Sequence, residues 1–127
     1  MAAAVPSVVP SDDDIPINEV HLRGRVSGLP ETRALPSGDT VVLVRLVVPR
    51  LAPSRPAARE GRKAPGVDTL DCAVWRGDLR RRVASWADGD RVEVVGALHR
   101  RFWRSGAGVA SRYEVEALSV RRLSRAA

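Results

Sequence analysis

The sequence predicts an all-β fold with one helix, in which short strands close into a small five-stranded barrel and the last β-hairpin extends from it. Two observations support this prediction. Segments of alternating or β-branched residues recur along the chain, and only one segment has helical spacing. That segment stands before the last two strands, and no strand-helix alternation indicates a parallel sheet.

The first half of the chain supplies two of these strands. In NEVHLRGRVS, residues 18–27, Val20, Leu22 and Val26 alternate with polar residues, which is typical of a half-buried strand. GLPETRALPSGD, residues 28–39, is rich in proline and glycine and is predicted to be a turn-rich connection. TVVLVRLVVP, residues 40–49, is a β-branched run that predicts a mostly buried strand.

A long basic loop is predicted next, over residues 50–66, because RLAPSRPAAREGRKAPG has three prolines and five basic residues against one acid. The third strand is DTLDCAVW, residues 68–75, with Cys72 facing inward. DLRRRVASWADG, residues 78–89, is the helix. Its apolar stripe is Leu79, Val83 and Trp86, and Asp78 is placed to cap its start.

The last two strands form the predicted hairpin. DRVEVVGALHRRFW is a long strand, RSGAGVAS is the hairpin tip, and RYEVEALSVRRL returns with a slip in alternation near Leu118 that predicts a bulge. Strand parity predicts that Leu98 and Phe102 face the core side, and that Phe102 and Tyr113 are core or barrel-rim residues. Three strands, one helix and two strands in this order favour a five-stranded OB-fold barrel with an extended hairpin.

Composition favours a binding protein over an enzyme. The chain has 127 residues, a net charge of +6 and 21 basic residues, of which only Lys63 is a lysine. Arginine suits contacts with phosphates and bases. His21 and His99 have no partners at metal-ligand spacing, and no nucleophile-base motif occurs, so no catalytic residue, cofactor or metal is expected. One cysteine and no long apolar run favour a cytoplasmic protein without a membrane span.

The polar faces of the strands carry the predicted binding site. Two outward indoles can stack on unpaired bases while arginines follow the phosphates; the alternative is that the indoles are partly buried rim residues. The basic loop either closes over the nucleic acid or is a plain insertion. The predicted site residues are Trp75, Trp103, Arg23, Arg25, Arg76, Arg101, Arg55, Arg59, Arg62 and Lys63.

Together the segments NEVHLRGRVSGLPETRALPSGD, LDCAVWRGDLRRRVASWADGDRVEVVGALHRRFW and RYEVEALSV resemble the bacterial single-stranded DNA-binding protein family, and its actinobacterial members most. The resemblance covers residues 18–123. It implies an OB fold that wraps single-stranded DNA without sequence preference during replication, repair or recombination, assembled as a homotetramer or a dimer. Trp75 and Trp103 match stacking aromatics of the family.

The chain also departs from the family. Thr69 stands where many relatives have an aromatic residue, and the basic loop has no tryptophan. Residues 1–17 are predicted to be a flexible acidic segment and residues 124–127 a short basic end. The acidic partner-docking tip usual at the end of relatives is therefore expected to be absent, as in a tail-less paralogue. DDDIPI, residues 12–17, is either a displaced docking peptide or an ordinary polar entry to the first strand.

Two further functions remain open from the sequence. The chain has fewer aromatic residues than its relatives at the expected stacking positions. This also suits an OB-fold adaptor that binds a full-length single-stranded DNA-binding protein or another replication or recombination partner. Single-stranded RNA is a possible ligand as well, because a stacking platform does not distinguish the sugar.

Overall fold

The computed structural model describes residues 11–51 and 66–127. After one 3₁₀ turn at Asp12–Asp14, these residues form six strands and one helix. The elements are β1 (Val20–Val26), β2 (Glu31–Ala34), β3 (Thr40–Pro49), β4 (Val67–Val74), α1 (Gly77–Ala84), β5 (Arg91–Ser105) and β6 (Gly108–Ser124). No helix among these residues has the length and apolar character needed to cross a membrane.

Five of the strands close into a barrel in the order β1-β5-β6-β4-β3, and β3 returns to β1. The pairings are antiparallel except that of β4 with β6, which is parallel at Cys72↔Val115 and Ala73↔Glu116. The closing seam between β1 and β3 is short, since its register includes only Arg25↔Val47 and Val26↔Leu46. This architecture confirms the predicted five-stranded OB barrel with one helix.

β2 corrects the sequence prediction, which assigned residues 28–39 to a turn-rich connection. All four residues of β2 are exposed, so no hydrophobic alternation marks them. The strand exists because its backbone adds to the free edge of β3, from Glu31↔Leu43 to Ala34↔Thr40. A turn then joins β2 to β3, with Gly38 at a φ of 91° that favours glycine.

The barrel interior confirms the predicted inward faces except at Leu98, which is 46% exposed. Burial raises the pKa of Cys72 to about 12, so the thiol stays protonated and acts as a small hydrophobic group, as predicted. The core comprises Val26, Val42, Val44, Leu46, Cys72, Val74, Leu79, Val83, Trp86, Val92, Val94, Val115, Ala117 and Val120.

Helix α1 closes one end of the barrel and is shorter than predicted. Its stripe is confirmed: Leu79 and Val83 are buried, and Trp86, two residues beyond the helix end, is 5% exposed. The predicted cap is wrong. The helix begins before Asp78, so Arg76 is the N-cap, and it makes no capping hydrogen bond. The Asp78 carboxylate instead accepts a hydrogen bond from the Arg76 side chain.

The β5–β6 hairpin pairs from Arg91↔Ser124 to Ser105↔Gly108. The predicted bulge is confirmed, since Val95 faces Ser119 and the next residue, Gly96, faces Ala117, which leaves Leu118 without a partner. Gly96 is required there: a Cβ on it would lie 1.8 Å from the carbonyl oxygen of Glu116.

Strand parity misplaces the aromatic residues of the hairpin. Phe102 is 58% exposed and Tyr113 is 60% exposed, and neither belongs to the core. Both residues do lie on the predicted side of the hairpin. In the part of the hairpin nearer the barrel, this side faces the core. The hairpin, however, runs past the barrel, and Val115, opposite Leu98, is the last buried residue of that side on β6 before the tip.

Two polar side chains join the segments next to β1 and β6 to this framework. Asn18 donates a hydrogen bond to the carbonyl of Leu98 and accepts one from its N–H, both at 2.8 Å. The buried Asp90 accepts hydrogen bonds from the N–H groups of Ala87 and Ala126. These two bonds hold the pKa of Asp90 below its usual range.

Candidate nucleic-acid interface

The outward surface of strands β3, β4, β6 and β5, here called the outer sheet face, holds several predicted site residues. Its rows follow from the strand register. One row is Leu43, Ala73, Glu116 and Ala97. The next row toward the hairpin tip pairs Arg45 with Asp71 and Glu114 with His99.

Charges on the outer sheet face are largely balanced within the chain. Asp71 lies 3.3 Å from the Arg45 Nε and 3.7 Å from an Arg112 terminal nitrogen. His99 Nε2 lies 3.0 Å from Glu116. Counting the arginines alone would predict a free positive patch on this face. The ion pairs show that these arginines do not form one.

Trp103 and Arg101 lie side by side on this face. Trp103 is 40% exposed on β5, and the guanidinium of Arg101 lies 5.4 Å from its ring centroid. Arg101 Nε also lies 3.9 Å from the buried carboxylate of Glu114 but makes no hydrogen bond to any residue that the structure describes. The structure thus brings together one predicted indole and one predicted arginine.

Trp75 and Arg76 lie at the other end of the face. Trp75 is half-buried between β4 and α1, and Arg76 pairs with Asp78 at 3.0 Å. Ala110, the partner of Trp103, is six residues from Glu116, the partner of Ala73. Trp75 lies two residues beyond Ala73, so the two tryptophans are offset by roughly 26 Å along the strand direction at about 3.3 Å per residue.

Arg23 and Arg25 lie on β1, a strand that carries neither indole. Arg23 pairs with Glu93. Arg25 faces Arg91 across the β1–β5 ladder, and neither makes an ion pair with any residue within 11–51 and 66–127. Like charges directly opposite are unfavourable unless an anion joins them. The four basic loop residues, Arg55, Arg59, Arg62 and Lys63, lie outside the described residues.

Glu93 is the centre of a cluster of ion pairs, and its pKa is lowered. Its side chain is 14% exposed and is contacted by Arg23, His21 and Arg121. Hydrogen bonds from Arg23 and His21, followed by the charge of Arg121, lower the pKa of Glu93 to about 2. A depressed pKa stabilises the fold above the carboxyl's unfolded value of about 4.3, and this stabilisation is lost as pH falls through about 2.

We therefore expect Glu93→Gln to lower the thermal unfolding midpoint at pH 7, and the gap from wild type to close between about pH 4.5 and pH 2. Differential scanning calorimetry across this range measures it. The matched control is Glu31→Gln, which removes an exposed pair with Arg33 on the four-residue strand β2. A Glu93→Gln midpoint equal to wild type at pH 7 would contradict the assignment.

Sequence reasoning missed several residues near the site. Arg45 and Arg112 were assigned no role, and Arg100 was overlooked. Counting outward from the turn between Ser105 and Gly108 places Tyr113 opposite Arg100, a signal that the sequence contains. Within the described part of the chain, no group of three or more His, Cys, Asp or Glu side chains could hold a metal ion.

Comparison with known proteins identifies relatives of this chain and of its fold. The chain is 31% identical over 112 residues to a protein named single-stranded DNA-binding protein from Deinococcus radiodurans, a match that covers 87% of this chain and 36% of the relative. The chain thus spans about a third of that relative's length. A solved structure of a Plasmodium falciparum SSB complex with ssDNA matches with a TM-score of 0.70 at 22% identity, covering 87% of this chain and 98% of that one, which shows a shared fold.

A family model described as the single-strand binding protein family matches residues 17–123. These residues include the other four barrel strands in full and all but the last residue of β6. The match agrees with the family that the sequence motifs indicate. The chain belongs to the single-strand binding protein family.

Proposed function

We propose that this protein binds single-stranded DNA without sequence preference and protects it during replication, repair or recombination. Family membership and the OB barrel support the proposal. The observation that carries it is Trp103, a large indole left 40% exposed on a projecting hairpin with the Arg101 guanidinium beside it. A base can stack on such a ring while a cation meets its phosphate.

The proposed roles follow from position. Trp103 and Trp75 stack on bases at two ends of the outer sheet face, with a stretch of strand between them. Arginines near each indole and on β1 contact phosphates, and Arg25 is best placed because it opposes Arg91 without a carboxylate partner in the described residues. The proposed phosphate contacts are Arg23, Arg25, Arg76, Arg101, Arg55, Arg59, Arg62 and Lys63.

We propose further that the protein acts in the cytoplasm as a homo-oligomer, a tetramer or a dimer, and that it binds without catalysing a reaction. The part of β1 that precedes Arg25 pairs with β5 but not with β3 in the described structure, so its other edge is available to a second copy. No cofactor is required for base stacking or for phosphate contacts.

Fluorescence anisotropy of labelled oligo-dT, titrated with the protein at increasing salt, tests this function. We expect log affinity to fall linearly with log salt, by about 0.7 for each phosphate contacted. Duplex DNA of the same length is the control and should bind far more weakly, while oligo-rU measures the preference for DNA over RNA. Equal affinity for duplex and single strand would contradict the proposal.

An OB-fold adaptor is the second candidate, and the internal charge balance of the outer sheet face favours it. Arg45 and Arg112 both lie near Asp71, so a protein partner could cover them at a smaller electrostatic cost than unpaired arginines would impose. Absence of any single-strand affinity from the folded protein would make this adaptor, bound to a replication or recombination protein, the better account.

A further inference from the structure

The β5–β6 hairpin has a second aromatic face, opposite the face that carries Trp103. Phe102 and Tyr113 lie on this reverse face, where Arg100 pairs with Tyr113 in the strand register. The Arg100 guanidinium lies 4.7 Å from the Phe102 ring centroid and 5.4 Å from that of Tyr113. Its Nε and one terminal nitrogen donate to the Ser111 hydroxyl at 3.3 and 3.1 Å, which fixes the guanidinium between the two rings.

This cluster is exposed although it is built from residues that normally pack. Phe102 and Tyr113 are more than half exposed, and neither contributes to the core. A cation held against both rings orders them before any ligand arrives, which lowers the entropy cost of binding. The cluster is therefore a preformed surface with two aromatic groups and a planar guanidinium.

We propose that Phe102, Arg100 and Tyr113 form a second stacking platform for unpaired nucleobases, so that one single strand contacts both faces of the hairpin. This inference rests on the proposed function and extends it to residues that have no role in the Trp103 face. Aromatic rings and guanidinium planes both accept bases without sequence preference.

Charge argues for a nucleic acid rather than a second copy of the chain on this face. This face of the hairpin carries Arg100 and Arg104, and residues 99–113 contain no carboxylate. A symmetric contact between two hairpins would place these arginines against each other, which is costly. Single-stranded DNA brings bases for the rings and phosphates for Arg100 and Arg104, which make no ion pair with residues in the described segments.

The test compares the double variant Phe102→Leu plus Tyr113→Leu with Trp103→Ala, by anisotropy with oligo-dT of about 4 and about 16 nucleotides, the range of site sizes for one OB fold. Leucine keeps an apolar side chain but removes the π face. Val109→Ala is the matched control, because Val109 is exposed on the same face and has no ring. Circular dichroism melting verifies that each variant remains folded.

We expect the double variant to lose about tenfold or more in affinity for the longer oligomer, while its affinity for the shorter one stays near wild type. Val109→Ala should bind like wild type. If Trp103→Ala weakens binding of the longer oligomer but the double variant does not, the second platform is wrong and the proposed function stands.

Three other outcomes would also overturn the inference. If the double variant keeps its affinity per chain but changes mass in sedimentation equilibrium, the reverse face is an interface between copies. If wild type binds neither oligomer, the proposed function and the second platform both fail. If Val109→Ala loses as much affinity as the double variant, this face makes a general apolar contact and does not stack on bases.

Discussion

Replacing Trp103 by alanine is expected to weaken binding of oligo-dT by about 1–3 kcal/mol, which is roughly 5- to 150-fold in the dissociation constant. The indole is exposed and contributes nothing to the core, so the loss comes from base stacking and not from unfolding. Arg101 also loses its ring partner, but Glu114 still attracts it. Anisotropy titration at fixed salt gives the affinity of both proteins.

Two variants control this measurement. Trp103→Phe keeps a stacking ring and should recover most of the affinity. Leu29→Ala removes an exposed apolar side chain from the turn between β1 and β2 and should leave binding unchanged. The same thermal unfolding midpoint in all four proteins would place the effect at the interface. Wild-type affinity in Trp103→Ala would show that bases do not stack at this position.

Replacing Gly96 by alanine is expected to have the largest effect on folding. The new Cβ would lie 1.8 Å from the carbonyl oxygen of Glu116 and 2.8 Å from its carbonyl carbon, both in the β6 backbone. Because the contact is with backbone atoms, no side-chain rotation can relieve it. Strands β5 and β6 must therefore separate at the bulge. We expect a loss of about 3 kcal/mol or more in the free energy of unfolding, a large part of a domain's usual stability.

Urea unfolding monitored by circular dichroism measures this loss. Gly106→Ala is the matched control: a Cβ there meets nothing within 4 Å, and the residue lies in the turn of the same hairpin. Its unfolding midpoint should stay close to wild type. If Gly96→Ala unfolds at the same urea concentration as Gly106→Ala, the close approach of β5 and β6 is not required for the fold.

The sequence predicted the barrel because hydrophobic alternation reports directly which side of a strand is buried. Val20, Leu22 and Val26 alternate in the sequence, and β1 shows the same alternation in burial. The slip at Leu118 was visible for the same reason and appears as an unpaired residue in β6. β2 was missed because it is held by backbone pairing alone, which leaves no side-chain pattern.

The site was less predictable than the fold. Strand parity tells on which side of a strand a residue lies, but not whether other residues cover that side. Phe102 lies on the side predicted, yet the hairpin passes beyond the barrel and leaves it exposed. Ion pairing was also invisible in the sequence, since Arg45 and Asp71 are 26 residues apart and meet only through the β3–β4 register. The pairing of Arg23 with Glu93 has the same origin.

The most direct test of the central claim is intrinsic tryptophan fluorescence during titration of the full chain with oligo-dT. The chain has three tryptophans, and Trp86 is buried in the core, so any change on binding reports Trp75 and Trp103. We predict saturable quenching that weakens with salt and that is largely lost in Trp103→Phe. Unchanged fluorescence with no affinity for oligo-dT, in a protein shown to be folded, would contradict single-strand binding by stacking.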